Sequence, residues 1–150
     1  MKKFIAIILA VFFIIPLVAC NGKDEEKTED NNSSSVSDSI DYDLSKLSTT
    51  MAYSQVVEMT NNSSKYLGKR VKITGTFIVE ETPQRNYYSC LINDQTACCG
   101  VGFEFVLKDT SKSYPDDYPQ SNGEITVEGI FNRYSEGENT YYELIDAVLL

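Results

Sequence analysis

Two seven-residue segments of this chain carry the same alternation. Val71-Lys72-Ile73-Thr74-Gly75-Thr76-Phe77 and Ile125-Thr126-Val127-Glu128-Gly129-Ile130-Phe131 match at a constant offset of 54 (125 − 71). In the first, Val71, Ile73 and Phe77 point one way, and Lys72, Thr74 and Thr76 the other. Period two with β-branched residues is the signature of a half-buried strand. Each segment then passes a polar turn, Thr82 to Asn86 in one and Ser135 to Asn139 in the other. Each returns through a tyrosine pair, Tyr87-Tyr88 and Tyr141-Tyr142, so both read as hairpins. A glycine in mid-strand suits a bulge or bend, which lets a strand coil around a barrel corner.

Between the hairpins, Val101 to Leu107 alternates again, with Val101, Phe103, Phe105 and Leu107 on one face. The link that follows, Tyr114-Pro115-Asp116-Asp117-Tyr118-Pro119, is polar and interrupted by proline. A three-strand meander, an irregular link and a closing hairpin make an all-β chain, and the order matches the small five-stranded OB-like barrel. A small open sandwich is the other arrangement that five short strands allow. Its expected core is Val71, Ile73, Phe77, Val101, Phe103, Phe105, Ile125, Val127 and Phe131. One helix should precede the barrel, started by Ser48 and Thr49 and stopped by Asn61-Asn62-Ser63-Ser64. Tyr53, Val56, Val57 and Thr60 would form its buried face.

The first 19 residues read as a leader. Met1-Lys2-Lys3 is basic, Phe4 to Ile15 is unbroken apolar, and Leu17-Val18-Ala19-Cys20 resembles the bacterial lipobox. The apolar run is short of the roughly 20 residues that span a bilayer, which favours a cleaved signal over an anchor helix. The expectation is cleavage before Cys20 and diacylglyceryl transfer to its thiol. Two or more acyl chains would then hold the protein on the extracytoplasmic face of the cell membrane. Residues 20 to 47 are rich in Ser, Asn and acidic side chains, and read as a disordered acidic tether. The folded domain is expected over residues 48 to 150.

Formal charge is −9, from 22 acidic and 13 basic side chains. An acidic domain repels phosphate backbones, so nucleic acid is not an expected partner. The chain has no histidine. That excludes Ser-His-Asp and Cys-His catalysis and histidine-ligated metals.

Three cysteines remain beyond Cys20. With Asp94 to Ala97 as a four-residue turn, Cys90 would face Val101. Cys99 would then sit diagonally from it on the core side, about 7–8 Å away, at the limit for a disulfide. Cys98 would face outward with Gly100, Gly102 and Glu104, where bare glycine backbone suits close approach of a ligand. Three readings stay open: a Cys90 disulfide, with Cys99 the geometrically preferred mate; unlinked thiols; or a thiolate metal or redox site at Cys98-Cys99.

The pattern Asp94-x-x-Ala97-Cys98-Cys99-x-x-Gly102-x-Glu104-Phe105 comes with Tyr66-Leu67-Gly68-Lys69 before the first strand and Tyr118-Pro119 before the fourth. Over about residues 65 to 150 it resembles a family of uncharacterised lipoproteins from Gram-positive anaerobes. More faintly, it resembles the extracytoplasmic OB-like domain of membrane proteins paired with permeases. The resemblance implies an OB-like fold and a membrane location, and leaves the ligand open. The expected role is a non-enzymatic binding or accessory module without a cofactor, serving a transporter or envelope complex. Its partner would be a protein or small molecule. The binding surface would be the outer face of the second and third strands, with Tyr87, Ser89, Cys98 and Glu104, flanked by rim loops near Arg85 and Gly137. The competing role is metal binding or thiol redox chemistry at Cys98-Cys99.

Overall fold

A computed structural model describes residues 39 to 94 and 99 to 150. The leader, Cys20, most of the tether and Cys98 lie outside the described residues. The first described element is a two-residue strand, β1 (Tyr42–Asp43), followed by a single 3₁₀ turn, Leu44–Lys46. Helix α1 (Thr49–Asn61) comes next. Five longer strands complete the chain: β2 (Arg70–Glu81), β3 (Asn86–Asn93), β4 (Gly100–Leu107), β5 (Glu124–Glu136) and β6 (Asn139–Leu149).

The strands pair in the order β1-β2-β3-β4-β6-β5, and β5 returns to β2. Strands β2 to β6 therefore form a closed barrel, with β4 and β6 parallel and the other neighbours antiparallel. This is the all-β, OB-like arrangement. Closure removes the open edges that would otherwise expose unpaired backbone groups. Strand β2 serves two neighbours, pairing with β5 over Arg70 to Thr76 and with β3 over Thr76 to Glu81. Gly75 stands at the handover, and a Cβ there would collide with the Leu91 carbonyl. The missing side chain lets β2 bend from one neighbour to the next.

Val71, Ile73, Phe77, Phe103, Phe105, Ile125, Val127 and Phe131 are buried, while Val101 is only partly so. Leu144 and Ala147 of β6 complete the interior. At one end Tyr118 of the β4–β5 link stacks on Tyr88 at 4.5 Å between ring centroids. Its ring also lies 5.7 Å from Phe77, so the irregular link is tied to the core by aromatic contact.

Helix α1 begins where the hydroxyl of Ser48 accepts from the Met51 amide at 3.4 Å, and packs against β3 and β4. Its buried residues are Ala52, Val56 and Met59; of the expected face, Val56 is buried and Tyr53 packs half-buried against the core, while Val57 and Thr60 are only half-buried. The hydroxyl of Thr60 bonds back to the Val57 carbonyl at 3.0 Å, whereas the flexible Met59 fills space at full burial. Positions 52, 56 and 59 follow the i, i+4, i+7 spacing of one helix face, and the expected stripe is out of phase with it. No helix among the described residues is long and apolar enough to cross a membrane.

The folded part starts before Ser48, and a sixth, short strand is added to the sheet outside the five-stranded circuit. β1 lies parallel to β2, with Tyr42 opposite Val71 and Asp43 opposite Lys72. The Asp41 amide donates to the Arg70 carbonyl at 2.9 Å, and the Asp41 carboxylate accepts from the Arg70 amide, also at 2.9 Å. Leu44 is 3 % exposed. The polar composition of this stretch masks one well-placed leucine, which is enough to dock it.

The β3–β4 register differs from expectation by two residues. Cys90 faces Phe103 and Asn93 faces Gly100, because the connection runs over Asp94 to Cys99 rather than over four residues. The Asp94 amide donates to the Cys99 carbonyl at 3.0 Å. A shift of two preserves which side chains face inward, so the core is unaffected. It does separate the cysteines: Cys90 is a buried free thiol, Cys99 is exposed, and a Cys90–Cys99 disulfide is not formed. The space beside Gly102 is not bare either. A Cβ there would strike the Cys90 carbonyl of β3, so this glycine serves strand packing.

Candidate functional site

Two hairpins rise on either side of the β3–β4 outer face. The β2–β3 turn is pinned by Thr82, whose amide and hydroxyl both donate to the Arg85 carbonyl, at 3.1 and 2.7 Å. The Arg85 amide returns a bond to the Thr82 hydroxyl at 3.2 Å. The opposite hairpin turns through Gly137 at φ +61°, a conformation that L side chains rarely adopt and that tight hairpin turns require.

Strong coiling brings the tips together. The Arg85 guanidinium lies 4.1 Å from the centre of the Tyr87 ring and 5.6 Å from that of Tyr134. One of its terminal nitrogens donates to the Tyr134 hydroxyl at 3.3 Å and stands 3.6 Å from Glu136. The Tyr87 hydroxyl donates to both carboxylate oxygens of Glu136 at 3.1 Å. Tyr134 donates to Glu104 at 2.7 Å, and its ring stacks on Tyr141 at 5.4 Å. Arg85 therefore sits in a clamp of two tyrosine rings and a carboxylate that spans the hairpins.

Glu104 is flanked by Ser89 on β3 and Glu143 on β6. Glu143 accepts from Asn132 at 2.8 Å. Among the described residues neither carboxylate has a cation within ion-pair distance. Burial pushes the Glu104 carboxyl above its ordinary pKa; the Tyr134 hydrogen bond and Arg85 pull it down, while Glu143 and Glu136 add to the rise. Burial, followed by Glu104 itself, pushes the Tyr134 hydroxyl up, so it remains a proton donor. Tyr87 heads the influences that raise the Arg85 pKa and keep the guanidinium charged.

A cleft of about 280 Å³ opens beside this cluster, bordered by Arg85, Tyr87, Glu104, Val106, Lys112 and Glu143. A second hollow of about 350 Å³ lies on the other side of Glu104 and is reached by Ser89 and Gly102. The structure thus places Tyr87 and Glu104 in one cluster with Arg85, and Ser89 beside it. Tyr134, Glu136 and Glu143 were not singled out from sequence, although the Gly137 rim was. Their approach depends on coiling of β5 and β6 across the barrel, which alternation alone does not encode. Cys98 lies outside the described residues. Among the described residues no group of three His, Cys, Asp or Glu side chains is placed to hold a metal ion.

No curated protein matches the chain in sequence. The model of the tRNA_anti-like family matches residues 1 to 141, a span that takes in the barrel through Tyr141. With that match over most of its length and an OB-like barrel to carry it, the chain belongs to the tRNA_anti-like family.

Proposed function

We propose that the chain is a lipoprotein anchored through Cys20 to the extracytoplasmic face of the cell membrane. Its barrel acts there as a non-enzymatic binding or accessory module for a transporter or envelope complex. The observation that carries the binding reading is the cleft framed by the β2–β3 turn, β4 and the β4–β5 link, next to the point where aromatic faces and carboxylates of the two hairpins converge over β3 and β4. OB-like barrels bind with this face and these loops. The anchoring reading rests on Met1 to Cys20, where a basic start, a short apolar run and Leu-Val-Ala-Cys follow in order.

The family's name points to tRNA, but the chemistry of this cleft is unsuited to a polyanion. Arg85 is already engaged with Glu136, and the carboxylates of Glu104, Asp109 and Glu143 outnumber Lys112, the other cation in the lining. A formal charge of −9 adds long-range repulsion.

The test places a photo-crosslinking residue at position 87 in the full-length protein made in its own cells, with position 148 at the far end of β6 as comparison. Mass adducts are expected at 87 and not at 148, and the Cys20→Ser protein should leave the membrane fraction. Equal labelling at the two positions would remove the binding reading. Retention of a cleaved, unlipidated protein in the membrane would remove the anchoring one.

A further inference from the structure

Resting on the binding-module reading, we infer that the cleft beside the β2–β3 turn takes a basic peptide segment, and that Arg85 occupies the adjoining cation clamp as an intramolecular stand-in for a ligand side chain. The clamp has the parts that recognise a guanidinium or ammonium group. The Tyr87 ring lies 4.1 Å from the cation, the Tyr134 ring adds a second face, and Glu136 supplies the counter-charge. An aromatic face over a cation is attractive because of the ring quadrupole, and a carboxylate alongside adds direction.

The rest of the cleft continues the same preference, since Glu104, Asp109 and Glu143 line it against one further cation, Lys112. Glu104 and Glu143 stand side by side on β4 and β6 and share no cation among the described residues, while the cleft of about 280 Å³ leaves room beside them. A peptide with adjacent basic side chains can place one against Glu104 and Glu143 and another in the clamp. Arg85 is held there by a partly exposed ion pair, which contributes little and is readily exchanged. The formal charge of −9 would speed the encounter with a basic partner.

The test uses the mature protein in detergent, titrated calorimetrically with tetra-arginine and tetra-lysine amides; tetraglutamate and a neutral chito-oligosaccharide serve as comparison probes. The basic peptides are expected to bind saturably, and tetraglutamate not at all. Glu104→Gln keeps an acceptor for Tyr134 and should weaken tetra-arginine binding about threefold or more. Arg85→Ala empties the clamp and should tighten it by about threefold, the scale of one exposed cation–π contact with its ion pair. A purely structural Arg85 predicts the opposite sign, because its loss would loosen the hairpins. Weaker binding by Arg85→Ala would therefore overturn the stand-in role. Glu58→Gln on α1 should change nothing; a loss equal to that of Glu104→Gln would reduce the effect to diffuse charge attraction and overturn the site. Saturable binding of the oligosaccharide but not of the peptides, with adducts at position 87 retained, would overturn the ligand class and leave the binding module standing. Absence of adducts at 87 would remove both.

Discussion

Glu104 is a carboxyl that the fold holds where its charge is disfavoured. Its carboxyl is partly buried, and its ordinary pKa of 4.5 is pushed up chiefly by that burial. Tyr134 and Arg85 oppose the shift, and Glu143 and Glu136 reinforce it. A folded-state pKa above the unfolded one means that the native protein binds this proton more tightly. The stability so gained is full below pH 4.5 and is lost as pH rises through the higher folded value. Binding of a cation runs the other way and strengthens as Glu104 ionises. Melting curves from pH 3 to 8 should show Glu104→Gln gaining on the parent as pH rises through that window, and matching or exceeding its stability at pH 7. Parallel curves across the whole range would mean that Glu104 is not titrating in a buried setting. Sequence alternation was enough to put Tyr87, Ser89 and Glu104 on the outer faces of adjacent strands. It could not find Tyr134, because a tyrosine on β5 reaches Glu104 only after the barrel has coiled.

At the scale of elements, caps and turns were legible because their chemistry is local: Ser48 starts α1, and the Gly137 turn joins β5 to β6. The segment from Asp41 to Lys46 was not, because its stability comes from a distant strand. Its composition is that of a tether, yet Asp41 grips Arg70, and Leu44 enters the core at 3 % exposure. Truncating a buried leucine to alanine costs about 2–5 kcal/mol, a large share of what holds a small domain together. Leu44→Ala should therefore lower the urea midpoint strongly, and a chain begun at Ser48 should be weaker still. Met51→Ala, at a helix position 59 % exposed, should be close to neutral. If Leu44→Ala proved as mild as Met51→Ala, the segment would not belong to the folded domain.

For the whole molecule, the hairpins and the OB-like strand order could be read from sequence, but the registers of the seams that close the barrel could not. The β2–β5 seam joins residues 52 apart at Thr74 and Thr126, whose hydroxyls lie 2.8 Å apart. The parallel β4–β6 seam leaves no turn signal at all. The β3–β4 register differs from the expected one by two residues because the connection is longer than its composition implies, and of the three open readings of the cysteines the Cys90–Cys99 bond is not formed. Cys90 faces inward in either register and is a buried thiol in the barrel wall. Cys90 is fully covered, packs near Gly75, and points its S–H at the Ile125 carbonyl 3.9 Å away. Burial pushes its pKa up to about 12, so a native thiolate is scarce at neutral pH, and no reagent can reach it without opening the wall. Both neighbours of that wall belong to the closed circuit of strands, so opening it should require the barrel to unfold as a unit. Alkylation followed by peptide mass spectrometry should find Cys90 at least about a thousandfold slower in native buffer than in denaturant, the factor expected of a domain stable by some 5 kcal/mol. The rate should climb with urea along the slope of global unfolding. Labelling that stays flat in urea below the transition would reveal a local opening between β3 and β4, and would show that the closed barrel does not unfold as one unit.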